Sequence, residues 1–176
     1  MTELKCKNCN SNDLEFKGGI WICRSCGSKY LPNMNEVPAP TEEDRLVDEL
    51  CDICGEIEGT DEFDEAQQEW RDSLFRKLDD VTGQVMSINR NNPYAMTAKM
   101  LIQIYEGLND SGSAERFVSY IETAINNSDS EAKENIWETL EFHLLHYADK
   151  VCELNPALHD RVGELIVTFA RYNVSR

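Results

Sequence analysis

Two Cys-x-x-Cys pairs near the amino end constrain this chain more than any other feature of its sequence. Cys6 and Cys9 form the first pair and Cys23 and Cys26 the second, with thirteen residues between the pairs. A Cys-x-x-Cys turn places both sulfurs on one side of a tight knuckle, and two facing knuckles supply the four ligands that tetrahedral zinc requires. The pattern therefore predicts that these four cysteines hold one Zn²⁺ ion.

The segment between the pairs has the pattern of a β-hairpin. Residues 14–16 and 20–22 are candidate strands, and Lys17-Gly18-Gly19 supplies the glycines that a tight turn needs. The apolar side chains of this segment are too few to build a core that folds alone. We therefore expect metal binding to supply much of its folding free energy.

Other uses of the four thiols fit the sequence less well. An iron site of the rubredoxin type uses similar spacing and is the main alternative for the metal. Disulfides suit a secreted chain, and a redox Cys-x-x-Cys needs no second pair. A catalytic zinc is disfavoured because four thiolates leave no open coordination position.

Residues 4–30, LKCKNCNSNDLEFKGGIWICRSCGSKY, resemble the zinc-ribbon family, of the kind found at the amino end of transcription factor IIB. The resemblance rests on the two knuckles, the hairpin between them and the aromatic residue before the third cysteine. It implies that Cys6, Cys9, Cys23 and Cys26 are metal ligands, with Asn10 where glycine is usual. Zinc ribbons bind DNA, RNA or proteins, or cap another domain, so the resemblance leaves the function open.

Charge separates this amino-terminal segment from the rest of the 176-residue chain, whose formal net charge is −16. Residues 1–30 carry five basic and three acidic residues, whereas residues 31–176 carry twelve basic and thirty acidic residues. The acidic part, residues 31–176, should repel phosphate backbones and anionic membranes. Contact with nucleic acid stays open for residues 1–30. With no candidate membrane span or secretory signal, we expect a cytoplasmic protein with reduced thiols.

The sequence predicts three parts: a zinc ribbon at 1–30, a proline-rich linker at 31–41 and an acidic all-helical domain at 42–176. The linker reads LPNMNEVPAPT and lacks apolar periodicity. Beyond it, apolar residues recur at helical spacing and predict about six helices, in a bundle or a helical-hairpin array. Predicted helix starts are Asn92-Pro93, a capping box at Ser128 and Glu131, and Asn155-Pro156.

The 34 residues from Ala95 to Ser128 resemble a degenerate tetratricopeptide repeat. Its packing positions are occupied by Leu101, Tyr105, Ala114, Val118 and Ile121. The resemblance implies a body that binds other proteins.

Three further features can be explained either by a purely structural role or by a function. Cys51 and Cys54 are expected on the apolar face of the first helix; alternatively they join His143 and His146 in a second zinc site. Cys152 is expected to be packed and inert. The thirteen carboxylates between Glu42 and Glu69 fit a solvated helix face, or else a surface for a basic partner.

These patterns predict a zinc-binding adaptor or scaffold whose helical domain contacts another protein, with self-association into a homo-oligomer also open. The alternative is a transcription-associated regulator that contacts RNA polymerase or nucleic acid through the ribbon. No motif of an enzyme active site is present in the sequence, so we expect no catalysis.

Overall fold

The computed structural model describes residues 4–34, 39–60 and 65–175. Contacts divide the chain into two compact units, Met1–Thr41 and Glu42–Arg176. The chain is mainly helical, with six α-helices that follow a small antiparallel sheet, and this confirms the predicted fold class. Residues 35–38 of the predicted linker lie outside the described residues, and so does Phe63, one of the apolar residues that recur at helical spacing beyond the linker.

The first unit is built on a three-stranded sheet in the order β1-β2-β3. Its strands are β1 (Leu14–Lys17), β2 (Ile20–Cys23) and β3 (Lys29–Tyr30), and both pairings are antiparallel. Gly18 and Gly19 form the turn between β1 and β2 at φ of 59° and 82°, in the region that favours glycine. The hairpin was predicted from the sequence, whereas β3 was not.

The second unit consists of six helices joined by short connections. A single turn of 3-10 helix at Pro156–Leu158 precedes the last of them. The helices are α1 (Glu42–Glu58), α2 (Glu65–Ile88), α3 (Pro93–Glu106), α4 (Ser111–Asn127), α5 (Ser130–Leu154) and α6 (His159–Ser175).

Polar side chains cap the helices close to the predicted positions. Asn92 caps α3 as predicted, accepting hydrogen bonds from the amides of Tyr94 at 3.0 Å and Ala95 at 3.1 Å. The predicted capping box at Ser128 is wrong by one residue, because Asp129 caps α5. The Ser128 hydroxyl instead donates to the carbonyl of Ala124 in α4.

Each helix packs against the next one along the chain, and several also contact the helix two places away. In particular, α3 contacts both α1 and α5, and α4 contacts α6. Arg161 of α6 reinforces the last contact, with ion pairs of 2.6 Å to Glu115 and Glu122 of α4. These contacts are those of a helical bundle, which is one of the two predicted arrangements.

Two clusters of buried apolar side chains form the core of the helical unit. One joins α1, α2 and α3, and the other joins α3, α4, α5 and α6. Met86 and Tyr94 pack against both clusters. Trp70 and Ile88 of α2 belong to the apolar residues whose helical spacing predicted this helix, but they are exposed over 47% and 50% of their surfaces.

Candidate metal centre and groove

The two cysteine knuckles have the same backbone hydrogen bonds. The amide of Cys6 donates to the carbonyl of Ser11, and the amide of Cys23 donates to the carbonyl of Ser28, each at 2.8 Å. In both knuckles the residue after the second cysteine donates back to the carbonyl of the first. The two knuckles thus present their thiols in equivalent ways, although thirteen residues separate them.

The residue that closes each knuckle has a positive φ angle. It is Asn10 in the first knuckle, at φ of 60°, and Gly27 in the second, at φ of 78°. Asparagine tolerates this left-handed region better than most residues with a side chain. The replacement of the usual glycine at position 10 is therefore compatible with the knuckle.

The four sulfurs of Cys6, Cys9, Cys23 and Cys26 lie within 4.8 Å of one another. The separation is 3.5 Å between Cys6 and Cys26 and also 3.5 Å between Cys9 and Cys23. These distances are too long for a disulfide, whose sulfurs lie at about 2.05 Å. Four sulfurs at about 2.3 Å from one zinc ion would lie about 3.8 Å apart, so the donor set fits a tetrahedral metal.

Neighbouring polar groups contact two of the four sulfurs. The Tyr30 hydroxyl, which is fully buried, lies 3.1 Å from the Cys6 sulfur and accepts a hydrogen bond from the amide of Asn8. The Ser28 hydroxyl lies 3.1 Å from the Cys26 sulfur. Hydrogen bonds of this kind orient metal ligands and tune their basicity. The sequence reasoning missed both residues.

The electrostatics of the site favour a bound cation. The hydrogen bond from Tyr30 lowers the pKa of Cys6 to about 5. At Cys9 the Ser11 backbone acts to lower the pKa, but the sulfur of Cys26, burial and the sulfur of Cys23 together raise it to about 12. Thiols this close cannot all ionise side by side unless a positive ion balances them.

The alternative of a second metal site at Cys51, Cys54, His143 and His146 finds no support among the described residues. Within residues 4–34, 39–60 and 65–175, only Cys6, Cys9, Cys23 and Cys26 bring three or more suitable ligand atoms together. The expectation for the α1 cysteines is half right: Cys54 packs against the core, and Cys51 is exposed. Cys152 is partly buried against the second core cluster, as expected.

Helices α1 and α5 both pack on α3 and leave a groove with α3 as its floor. The groove contains two cavities of about 200 and 500 Å³. The smaller is lined by Cys51, Tyr94 and Asn135 among others, and the larger by His143 and Tyr147 among others. Sequence reasoning missed this groove, because apolar spacing within one helix does not reveal which helices become neighbours.

His143 is the one histidine that faces this groove. Its Nδ1 atom is buried and has no hydrogen-bond partner among the described residues. Burial, with a smaller effect from His146, lowers the pKa of His143 to about 4. The imidazole is therefore neutral at pH 7.

The acidic run behaves mainly as a solvated face where the structure describes it. In α1 the side chains of Leu46, Leu50 and Ile53 are buried, while most of the carboxylates face outward. Glu43 is an exception, because it accepts hydrogen bonds from Asn89 and Asn92, each at 2.9 Å. The carboxylates of Asp61, Glu62 and Asp64 lie outside the described residues.

No protein-family model matches the chain, and comparisons with curated proteins and with solved structures find no match. In the part of the chain that is described, every helix is too short or too polar to cross a membrane. Functional arguments therefore rest on the cysteine site and the groove.

Proposed function

We propose that this protein is a zinc-binding adaptor: the ribbon holds a structural zinc ion, and the helical unit binds another protein. The four convergent cysteines support the first half of this proposal. With four protein ligands, zinc has no open position for a substrate, so the ion stabilises the ribbon and takes no part in catalysis. Because the thiols must stay reduced to bind metal, the proposal places the protein in the cytoplasm.

The open groove along α3 is the observation that carries the second half. Helices that bury all their apolar faces leave no such groove, whereas this one exposes aromatic and aliphatic side chains between two helices. Exposed apolar surface with a polar rim is typical of protein interaction sites. A helical adaptor needs only such a surface and a stable scaffold.

The test of this function has two arms on the full-length protein. Elemental analysis is expected to find one zinc ion per chain; iron in its place would contradict the assignment of the metal. Affinity capture at physiological salt should recover a protein that then binds the purified chain directly in calorimetry. Failure of every recovered protein to bind directly would contradict the adaptor function.

A second candidate is a transcription-associated regulator that contacts RNA polymerase or nucleic acid through the ribbon. It is favoured by Phe16, which is 52% exposed and lies 4.9 Å from the Trp21 ring, because bases stack on such aromatic surfaces. Lys5, Lys7 and Lys17 are exposed, but Arg24 is paired with Glu15 at 3.0 Å.

An electrophoretic shift assay with single-stranded and duplex nucleic acid tests this alternative. Binding that weakens steeply with salt and is lost in a Phe16→Ala variant would favour it. Binding that is absent at low salt would leave the adaptor as the better proposal.

A further inference from the structure

We propose that the groove between α1 and α5 binds a basic segment of another protein, in extended conformation, with a bulky apolar side chain in the larger cavity. This inference rests on the proposed adaptor function and specifies its partner. The shape of the groove, its lining and the charge around it support this inference.

The two cavities adjoin along the groove, because Cys54, Glu58 and Leu101 line both of them. Tyr94 lines one end and Tyr105 the other. These residues are eleven positions apart in α3, which corresponds to about 16 Å along a helix. About five residues of an extended chain span that length.

The floor and one wall of the groove offer apolar contacts. Leu101 and Ile104 of α3 are only partly buried, as is Tyr147 of α5. Outside the two cavities, α5 also exposes Phe142 over 63% of its surface, and the centroid of its ring lies 5.2 Å from that of His143, which lines the larger cavity. The larger cavity, at about 500 Å³, has room for a bulky apolar side chain of the partner.

Among the described residues, the charged side chains that line the two cavities are Glu58 and Arg71, and further carboxylates lie on the helices that form the walls. Helix α1 carries eight acidic residues and one basic residue, and α5 carries six acidic and two basic residues. Along α1, the positions of Asp48, Cys51, Gly55 and Glu58 follow helical spacing and lie on one face. Cys51, Gly55 and Glu58 line the smaller cavity, so Asp48 extends this face beyond it.

Effects on two lining groups show that these carboxylates act on the groove. Although Cys51 is exposed as a whole, partial burial where it lines the smaller cavity raises the pKa of its thiol, and Asp48 and Asp52 raise it further. Burial also raises the pKa of Tyr94, the hydrogen bond from Asn135 acts to lower it, and Cys51, Glu131 and Asp129 add smaller raising effects. Carboxylates from both walls therefore make the Tyr94 end of the groove negative.

The charge of the opposite end differs. Arg71 lines the larger cavity, with its guanidinium 5.9 Å from the Phe75 ring and 6.0 Å from the Tyr105 ring. Basic residues of a partner should therefore lie toward Tyr94, and its apolar anchor toward Tyr147. Phosphate-bearing partners are repelled by the walls, and so is a second copy of this acidic body.

Selection of random twelve-residue peptides displayed on phage, with the full-length zinc-loaded chain as bait, tests the proposal. Enriched peptides should contain lysine or arginine beside a bulky apolar residue. The most enriched peptide, synthesised with fluorescein, then gives a Kd by fluorescence polarisation. No enrichment, or enrichment of acidic or uncharged peptides, would overturn the proposal.

A charge-reversed pair then locates the binding site. Asp48→Lys/Glu58→Lys changes two exposed side chains on the groove side of α1 and should weaken binding at least tenfold. The matched control, Asp160→Lys/Glu164→Lys on α6, changes the net charge equally and should leave Kd within about twofold. Equal effects of the two variants would show a non-specific attraction and overturn the proposal.

Two outcomes separate failure of this inference from failure of the adaptor function. A captured protein that binds wild type and Asp48→Lys/Glu58→Lys equally would preserve the adaptor and overturn the groove as its site. Dimers in sedimentation velocity that the same variant dissociates would make a second copy the occupant, and would also overturn the proposal. Absence of any directly binding protein would contradict the adaptor itself.

Discussion

Tyr30 is the residue whose contacts most directly affect the metal centre. Its buried hydroxyl lies 3.1 Å from the Cys6 sulfur. Tyr30→Phe keeps the ring that fills the ribbon core but removes this hydrogen bond. Since such contacts to metal ligands typically contribute 10- to 100-fold in affinity, we expect zinc affinity to fall by about tenfold or more. Competition with a chromogenic chelator measures the change.

Tyr120→Phe is the matched control, because it removes a phenol hydroxyl from α4 in the other unit. It should leave zinc affinity unchanged. Equal zinc affinity in Tyr30→Phe and wild type would show that the Tyr30 hydroxyl serves only the packing of the ribbon.

His143 should make the helical unit sensitive to mild acid. Its pKa is about 4 when folded, compared with an ordinary value of 6.5 in the unfolded chain. As pH falls from about 6.5 to about 4, the unfolded state takes up a proton that the folded state does not, so the free energy of unfolding falls. Because the imidazole keeps some solvent contact, we expect a loss of about 1–2 kcal/mol across this window.

Urea unfolding of wild type and His143→Gln, followed by helical circular dichroism between pH 7 and pH 4, measures this loss. The variant cannot titrate at this position, so its stability should decline less with acid. His159→Gln is the control, since the His159 side chain is 81% exposed. If the stability curves of His143→Gln and wild type stay parallel across the window, the prediction is wrong.

At the level of single residues, the sequence identifies groups that act through local spacing and misses those that act across the chain. The ligand role of the four cysteines follows from two short repeats, and the structure brings all four together. The contact of Tyr30 with Cys6 spans 24 positions and depends on the pairing of β3 with β2. No local sequence pattern predicts a contact over this distance along the chain.

At the scale of the helices, Asn92 both caps α3 and connects it to α1. Asn92 accepts from two amides of α3 and donates to Glu43 of α1, and it is only 6% exposed. Asn92→Ala removes all three hydrogen bonds, so we expect a loss of about 1–2 kcal/mol in the free energy of unfolding. Urea denaturation at pH 7 measures it.

Asn91→Ala provides the comparison, because Asn91 is the exposed residue just before the cap. Its substitution should change stability by less than about 0.5 kcal/mol. Similar losses of unfolding free energy in Asn91→Ala and Asn92→Ala would contradict the prediction. They would mean that the turn before α3 contributes to stability as a whole and that the cap adds nothing further.

Of the three predicted helix starts, α3 begins where predicted, α5 is capped one residue later than predicted, and Pro156 opens a 3-10 turn three residues before α6. The error at α5 has a physical cause. Ser128 and Asp129 are both suited to a helix cap, and sequence alone does not choose between them. In the structure the Ser128 hydroxyl is occupied by the Ala124 carbonyl at the end of α4, which leaves Asp129 to cap α5. The start of α5 is therefore set by the end of α4, which uses the Ser128 hydroxyl for its own hydrogen bond.

Across the whole molecule, apolar periodicity predicted the number of helices but could not choose between a bundle and an array of hairpins. A stripe shows which face of a helix is buried and does not show which neighbour buries it. The contacts of α3 with both α1 and α5 decide the arrangement, and these contacts create the groove. The groove is thus a property of the assembled helices.

The division of the chain into two compact units predicts that metal loss damages only one of them. The buried core of the ribbon consists of Cys6, Cys23 and Tyr30, and two of these three are metal ligands. The helical unit has two apolar clusters of its own and lacks any of the four ligands. In Cys6→Ser/Cys26→Ser we therefore expect loss of the bound metal, with an unchanged helical signal and thermal transition by circular dichroism.

Loss of the helical transition together with the metal would mean that the second unit depends on the first for its stability. Cys51→Ser/Cys152→Ser is the control, because both of these cysteines lie in the helical unit and outside the metal centre. It should retain one zinc ion per chain.

Metal binding supplies the folding free energy that the small ribbon core lacks. Protease resistance should therefore fall only in Cys6→Ser/Cys26→Ser, and only within residues 1–34.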